Sequence, residues 1–373
     1  MINTYMSYNL ITRDLGKSLD RVEKQPVVQR DTEYYLANIT KVKTIDEFVN
    51  NPRLFNYAMK AHGLEDMTYA KAFMVKALKE GVTDPDSFAN KLIDKRYAEF
   101  VKSFNFAAYG EFATTYAAAE HPVIDLYLKV NTPPNGAPSQ FHIQESAYYA
   151  QNIGNVKSID DFLHKDNERL LTYALNAIGL DDAIDDPKLI RKMLEGGIDD
   201  PKSPANVDEN EKWAAFAKTF DFAGLGEAAT TYNLSQRPAV DKYLRQALEE
   251  DAGAQNEGVR LALYFSRKAG EITNAYQILG DKALGTVVRT LLGLPDAVAQ
   301  LDIDKQAALI ESKINLEDFQ DPEKLGKLMQ RFTTMWEMNN PTTSPESMLV
   351  SLFQPMEFGI SMDTMMAIAK MQR

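Results

Sequence analysis

The side chains that most often carry acid–base or metal chemistry are few and scattered in this chain. It has no cysteine and four histidines, His62, His121, His142 and His164. No two of them have the i, i+4 spacing of metal ligands on a helix, and no HExxH motif occurs. The lack of cysteine excludes thiol nucleophiles, disulfides and cysteine–zinc sites. We therefore predict no metal site and expect the histidines at the surface.

Two short motifs resemble catalytic loops only in part. Gly16-Lys17-Ser18 has the end of a phosphate-binding loop, but Ile11 stands where the leading glycine is needed. Residues 224–227 read Gly-Leu-Gly-Glu and contain no serine nucleophile. These departures predict neither a nucleotide site nor a nucleophilic serine. We predict that the protein has no cofactor and no catalytic residue.

Carboxylates are plentiful, and one repeated pair has no clear role. Four aspartates at 181–186 lack the alternating ligand positions and the central glycine of a calcium loop, so helix capping explains them better. Glu111 and Glu227 both follow glycines that match in the internal repeat described below. Carboxylates near a helix N-terminus are favoured by the helix dipole, and we prefer this interpretation to a catalytic pair.

The clearest pattern in the chain is an internal repeat. Residues 97–116 read YAEFVKSFNFAAYGEFATTY, and residues 213–232, 116 positions later, read WAAFAKTFDFAGLGEAATTY. Between 38–48 and 152–162 the spacing is 114, and a fainter third copy lies 230 residues after the first. Such a pattern indicates duplication of a structural module. The predicted core of the repeat is Phe104, Phe106, Tyr116, Phe220, Phe222 and Tyr232.

The repeated segments have the capping signals of helices. Thr44 precedes Glu47, and Asn274 precedes Gln277, by the three residues of a capping box. Gly63 follows an apolar periodic segment, where a left-handed helix end needs glycine. No run of alternating apolar residues predicts a strand. The sequence predicts an all-α fold of three tandem helical modules from internal duplication, the third degenerate, with helical N- and C-terminal extensions.

Segments rich in proline, glycine and asparagine suggest where the modules begin and end. We predict an N-terminal amphipathic segment at 1–30, modules at 31–130, 145–248 and 258–338, linkers at 131–144 and 249–257, and a methionine-rich tail at 339–373.

Both ends of the chain carry apolar side chains outside the repeat. Residues 8–24 are predicted to form one amphipathic helix with the stripe Ile11, Leu15, Leu19 and Val22. The tail holds six of the 15 methionines: Met348, Met356, Met362, Met365, Met366 and Met371. Methionine adapts to irregular apolar surfaces, so both stripes are candidate partner-binding sites. The alternative for the tail is a last helix that packs on the protein's own core.

Charge and hydropathy exclude further classes. The net charge of −12 argues against a nucleic-acid partner, because such proteins concentrate lysine and arginine. No stretch approaches the ~20 apolar residues of a membrane-spanning helix, and the N-terminus lacks the apolar core of a signal peptide. We expect no membrane insertion and no cleaved signal.

Three long strings carry a resemblance to a known family. They are TYMSYNLITRDLGKSLDRV at 4–22, the segment from YYLANITKVK to ALKEG at 34–81, and SFANKLIDKRYAEFVKSFNF at 87–106. Together they resemble a bacterial domain-of-unknown-function family whose genes are found among flagellar gene clusters. The resemblance implies helical repeats and an association with the flagellum, and it transfers no catalytic motif.

Two functional interpretations follow. In the first, the protein is a non-enzymatic structural or interaction protein of the flagellum. Its repeats form a scaffold, and its termini assemble with themselves or dock on flagellar proteins. It would be cytoplasmic, or flagellum-associated after export without a cleaved signal peptide. In the second, it is a cytoplasmic export chaperone or regulator that holds a flagellar client in a groove between modules. An enzyme of unknown type is a distant third possibility.

Overall fold

The computed structural model describes residues 3–340, and all regular structure in that range is helical. The predicted all-α fold is confirmed. The predicted tail at 339–373, with Met348, Met356, Met362, Met365, Met366 and Met371, lies outside the described residues except for its first two positions.

The helices follow the repeat of the sequence, with short 3₁₀ turns between many of them. The N-terminal segment forms α1 (Thr4–Arg13) and α2 (Leu15–Glu23). The first copy forms α3 (Pro26–Ile39), α4 (Ile45–Val49), α5 (Pro52–Ala61), α6 (Lys71–Glu80), α7 (Phe88–Lys91), α8 (Arg96–Ser103), α9 (Phe106–Tyr109) and α10 (His121–Asn131). The second copy forms α11 (Gln140–Asn152), α12 (Ile159–Phe162), α13 (Glu168–Ile178), α14 (Pro187–Gly196), α15 (Pro204–Val207), α16 (Lys212–Thr219), α17 (Phe222–Leu225) and α18 (Arg237–Gln255). The third copy forms α19 (Glu257–Lys268), α20 (Ala275–Leu279), α21 (Lys282–Leu292), α22 (Ile303–Glu311) and α23 (Pro322–Asn339).

The described residues form two compact units. The two-copy unit, Asp14–Ala254, contains the first and second copies. The third-copy unit combines residues 3–13 with residues 255–340. Helix α1 is therefore part of the third-copy unit. The other helices of this unit, α19 to α23, come from the C-terminal part of the sequence.

The first two copies make the same local contacts. The Thr44 side chain caps α4 in a complete capping box with Glu47, and the Ser158 hydroxyl caps α12 in the same position. The hydroxyl of Thr114 donates to the carbonyl of Val42 at 2.9 Å. Its counterpart Thr230 donates to the carbonyl of Val156, also at 2.9 Å. The duplication therefore preserved the hydrogen bonds that join the ends of each copy.

The last helix of each copy packs against the other copy. In α10, Val123 and Tyr127 belong to the apolar core built by the second-copy helices. The hydroxyl of Tyr149 in α11 donates to the carbonyl of Ala119, which precedes α10, at 2.7 Å. In the reciprocal contact, Tyr35 of α3 donates to the carbonyl of Ser235, which precedes α18, at 2.6 Å. The copies of the sequence thus exchange their final helices, and each apolar core contains residues from both.

The single N-terminal helix predicted for residues 8–24 is corrected to two helices. The backbone of Asp14 (φ −139°, ψ 71°) leaves the helical region, and its carboxylate accepts a hydrogen bond from the backbone N–H of Lys17. Aspartate is a favoured N-cap, so α2 starts anew at this position. The predicted stripe is therefore divided. Ile11 lies in the third-copy unit, whereas Leu15, Leu19 and Val22 lie in the two-copy unit.

The linker predicted at 249–257 is also corrected, because α18 continues through it to Gln255. The segment consists largely of glutamate, alanine and glutamine, which favour helix, and its single Gly253 does not interrupt the hydrogen bonding. Glu249 and Ala252 are buried. The linker predicted at 131–144 is shortened, because α10 ends at Asn131 and α11 begins at Gln140, which leaves residues 132–139 as a connection without helix.

The predicted repeat core is correct in four positions and wrong in two. Phe104 and Phe220 are fully buried, and Phe106 and Phe222 are nearly so. Tyr116 is only half-buried and stacks on Tyr109 at 3.8 Å, and Tyr232 is 36% exposed. The reason is that the inward position of each Thr-Thr-Tyr segment is taken by its first threonine, which bonds a buried carbonyl.

The third-copy unit has its own core, which includes Phe265, Met329 and Phe332. Trp336 follows the same spacing of 116 from Phe220, and its indole lies against the backbone of Gly258. A Cβ atom on Gly258 would come within 2.2 Å of the indole, so only glycine permits this approach of α19 to α23. The degenerate third copy thus keeps an aromatic residue at the repeat position but packs it differently.

Candidate functional site

The structure disperses the polar residues that the sequence singled out. Glu111 is exposed and forms an ion pair with Lys43 at 3.4 Å. Its counterpart Glu227 lies in an exposed 3₁₀ turn. Within residues 3–340, no group of three or more potential metal-ligating side chains is arranged to hold an ion.

The expectation that all histidines lie at the surface is wrong for His62. Its ring is buried, Nδ1–H donates to the carbonyl of Ala58 at 2.9 Å, and Nε2 lies 3.0 Å from the hydroxyl of Ser103. Lys242 Nζ lies 3.2 Å from the same Nε2. The matching position in the second copy is Ile178. Because Ile178 is apolar, the repeat itself predicts a position that faces the interior, and this could have indicated that His62 is buried.

The repeat builds two equivalent grooves, and each is lined in part by one of the exchanged helices. The first groove is lined by residues of α3, α5 and α18, and the second by residues of α10, α11 and α13. The matched pairs, first groove before second, are Val27 and Phe141, Asp31 and Glu145, Tyr34 and Tyr148, Arg53 and Arg169, Tyr57 and Tyr173, Lys60 and Asn176, and Tyr243 and Tyr127. The two grooves can therefore be compared with each other position by position.

Three stacked tyrosines form the floor of each groove. In the first groove Tyr57 stacks on Tyr35 at 4.2 Å and on Tyr243 at 3.8 Å between ring centroids. In the second groove Tyr173 stacks on Tyr149 at 4.3 Å and on Tyr127 at 3.8 Å. Stacks at these distances are favourable beyond the area that they bury. One ring in each stack comes from the other copy of the sequence, so the stacks also hold the exchanged helices in place.

The central phenol of each stack is held in its protonated form. Its hydroxyl lies 2.9 Å from that of Thr32 in the first groove and 2.7 Å from that of Ser146 in the second. Burial raises the pKa of Tyr173 and of Tyr243 to about 12, and it raises the pKa of Tyr57 as well. At neutral pH these groups offer aromatic faces and neutral hydroxyls. This chemistry suits non-covalent binding rather than phenolate catalysis.

An arginine covers another tyrosine at the rim of each groove. The Arg53 guanidinium lies 3.6 Å above the ring of Tyr34, and that of Arg169 lies 3.7 Å above the ring of Tyr148. Arg169 also makes two hydrogen bonds to Glu145, at 2.7 and 2.9 Å. The corresponding contact in the first groove is a single one at 3.3 Å, between Arg53 and Asp31. The second rim is therefore the more firmly fixed.

We expect the Glu145→Gln substitution to lower the free energy of unfolding by about 1 kcal/mol or less at neutral pH, because half of Arg169 is in water. Its hydrogen bond to Arg169 lowers the pKa of Glu145. A lowered folded-state pKa stabilises the fold above the unfolded-state value of about 4.3, and this contribution disappears as the pH falls through the lowered pKa. Urea titrations should therefore separate wild type from variant at neutral pH and bring them together once the pH falls below the lowered pKa of Glu145.

The matched control is Asp31→Asn in the first groove, whose single longer contact predicts a smaller loss at neutral pH. An unchanged difference between wild type and Glu145→Gln at the lower pH would contradict this account.

The residues that line these grooves are visible in the sequence as matched pairs of the repeat, and they form no contiguous motif. The matched residues recur at spacings of 114 and 116, together with the phenylalanines that form the core. Only the exchange of α10 and α18 brings Tyr127 and Tyr243 to the grooves, and no spacing along the chain reveals an exchange.

None of the helices in residues 3–340 combines the length and the apolar character needed to cross a bilayer.

Comparison with known proteins places the chain in a family. No curated protein matches it. It is similar to a protein of Agrobacterium tumefaciens whose crystal structure was solved by the Northeast Structural Genomics Consortium. The two are 38% identical over 91% of this chain and 94% of the other, with a TM-score of 0.53. Residues 61–172 and 177–325 match the family described as protein of unknown function (DUF1217), and the two matches begin 116 residues apart, at the spacing of the repeat. The chain belongs to the DUF1217 family.

Proposed function

We propose that this protein is a non-enzymatic interaction protein of the bacterial flagellar system, with its helical copies as a scaffold and its ends as the docking site. The resemblance of its sequence to a family encoded among flagellar genes supports the flagellar setting. The assembly of both ends of the described chain into one unit supports the docking role.

The N-terminal helix is held firmly on the third copy by its inner side. The backbone N–H of Thr4 donates to the carboxylate of Glu337 in α23 at 3.0 Å, and the Thr4 hydroxyl also bonds that carboxylate. The side chain of Asn256 donates to the same hydroxyl at 2.9 Å. Further along α1, the hydroxyl of Tyr8 lies 2.8 Å from that of Ser266 in α19. These contacts fix which side of α1 faces outward.

The outward side of α1 exposes two large apolar side chains beside the polar Asn9 and Arg13, and this observation carries the proposal. Met6 and Leu10 lie one turn apart on α1 and are 54% and 52% exposed. Met338, next to Glu337 in α23, is 76% exposed. We call these three residues the terminal face. Exposed methionine and leucine on a rigidly held helix are typical of a surface that receives an apolar helix of a partner. The proposed partner is a helical flagellar protein.

We expect the double substitution Met6→Glu and Leu10→Glu to reduce co-sedimentation with purified flagellar basal bodies at least about tenfold, since central apolar contacts dominate binding energy. Both side chains are largely in water, so the melting temperature should change little. The control is Val207→Glu, which places the same charge at a 62% exposed apolar position in the two-copy unit.

Equal co-sedimentation of the double variant and the wild type would contradict the terminal face as the docking site. Failure of the wild type itself to sediment with basal bodies, filaments or any flagellar fraction would contradict the flagellar role.

A second candidate is a cytoplasmic export chaperone or regulator, and the open second groove favours it because α10 and α11 belong to different copies. Localisation separates the two candidates. An assembled component is expected in sheared flagella or in the culture medium, whereas a chaperone is expected to remain in the cytoplasm with its client.

A further inference from the structure

The first groove contains a cation supplied by the protein itself. The ammonium group of Lys60 lies 5.4 Å from the centroid of the Tyr243 ring. It also forms an ion pair with Glu250 of α18. Attraction between a cation and the face of an aromatic ring stabilises this arrangement. The groove around it has a volume of about 340 Å³.

The second groove lacks this internal cation. Asn176 stands at the position of Lys60, and its amide is engaged by its neighbours in the groove. It accepts a hydrogen bond from Asn131 at 2.6 Å and donates one to the carboxylate of Asp181. The groove has a volume of about 800 Å³. The Tyr127 ring, which corresponds to Tyr243, still lines it.

The charges at the two grooves differ. The first is lined by one carboxylate, Asp31, and two cations, Arg53 and Lys60, and the carboxylate of Glu250 that pairs with Lys60 brings the net charge to zero. The second is lined by four carboxylates and two cations, a net charge of −2: Glu145, Asp166, Glu168, Asp181, Lys165 and Arg169. The groove without the internal lysine is thus also the one with the more negative lining. An anionic ligand would be repelled by this lining, and a cationic one attracted.

We propose that the second groove binds the ammonium group of a lysine side chain from a protein partner, at the position that Lys60 occupies in the first groove. The butyl stem of the lysine would lie along Phe141, whose ring is largely in water, and the ammonium group would lie against Tyr127. The partner's identity as a protein rests on the proposed interaction role. The ammonium site itself rests on the comparison of the two grooves.

The proposed site is tested with a small lysine probe, Nα-acetyl-lysine N-methylamide, and the full chain labelled with ¹³C in its tyrosine rings. In the wild type, the probe is expected to shift the ring resonances of Tyr127, Tyr148 and Tyr173 in a saturable way. The counterparts in the first groove should stay unshifted. The same probe acetylated on Nε has no positive charge and is expected to cause no saturable shift.

Two reciprocal substitutions exchange the residues found at the matched position of the two grooves. Asn176→Lys places an internal cation in the second groove and is expected to weaken the binding of the probe there at least about tenfold. Lys60→Asn removes the cation from the first groove and is expected to create a second site, seen as probe-dependent shifts of Tyr34, Tyr57 and Tyr243. Circular dichroism melts establish that each variant is folded, and each variant retains one unaltered groove as an internal control.

Equal shifts with the charged and the acetylated probe would overturn the proposal, as would undiminished binding to Asn176→Lys. Absence of probe-dependent shifts in the wild type would also overturn it. None of these results would affect the terminal face, because that test uses different residues and intact basal bodies. Conversely, the co-sedimentation test could fail while the probe titration succeeds. That result would support the ammonium site and contradict only the flagellar role.

Discussion

A fragment of residues 14–131, which contains the whole first copy of the sequence, is expected not to fold as a monomer. Its last helix, α10, would leave Val123 and Tyr127 in water, because their apolar neighbours belong to the second copy. Its α3 and α5 would lack the Tyr243 ring and the Ser235 carbonyl that α18 and the preceding loop supply. Each such side chain contributes about 1.5–3 kcal/mol when buried, against a total stability of about 5–15 kcal/mol for a domain.

The measurement is a thermal melt followed by circular dichroism, with a fragment of residues 14–254 as the control. The longer fragment contains both partners of the exchange and is expected to melt in one cooperative transition. The fragment 14–131 is expected to show none at low concentration. Mixing it with a fragment of residues 132–254 should restore the transition, since the exchanged contacts can then form between chains. A cooperative melt of 14–131 alone, at the midpoint of the control, would contradict the exchange.

The repeat and the helical fold could be predicted because they depend on local signals. Caps such as Thr44 with Glu47, and the periodic phenylalanines around Phe104, act within a few residues of the chain. Their physical effects do not depend on which helix packs against which. The two-spacing repeat then predicts that the same elements return in the second copy, and they do.

The exchange of helices could not be predicted from the same signals. Tyr127 and Tyr243 recur at a spacing of 116 whether each packs within its own copy or in the other. Two things decide between the two arrangements. One is the length and direction of the connection at residues 132–139, and the other is which apolar core buries each helix better. The break at Asp14 conflicts with the apolar pattern for a related reason. The apolar stripe continued through it, although the aspartate, a strong cap, was visible in the sequence.

The grooves could not be predicted because common residue types line them. Histidines and acidic clusters are the usual signals of chemistry, whereas the grooves are lined by tyrosines, arginines and carboxylates that also look like ordinary surface and core residues. The difference that matters is between Lys60 and Asn176. A repeat reveals such a difference only after the structure shows that both positions line a groove.

Truncation of Phe104 or of Phe220 to alanine is expected to cost about 3–5 kcal/mol of unfolding free energy each, from lost transfer energy and the cavity that remains. Both rings are fully buried. The Phe104 ring centroid lies 4.6 Å from that of Phe48, and the Phe220 ring centroid lies 4.8 Å from that of Phe162, the equivalent neighbour. Urea denaturation of the two single variants measures the loss.

The difference in cost between the two variants is also informative, because His62 in the first copy is replaced by Ile178 in the second. The ring centroids of His62 and Phe104 lie 5.9 Å apart in an edge-to-face arrangement, whereas Ile178 occupies the matching position in the second copy. An apolar wall can close on a cavity more readily than an imidazole held by Ala58 and Ser103. We therefore expect Phe104→Ala to be the costlier change. Tyr232→Ala, at a 36% exposed position of the same repeat, is the control and should cost about 1 kcal/mol or less. If Phe104→Ala and Phe220→Ala cost no more than this control, the repeated aromatics do not hold the cores together.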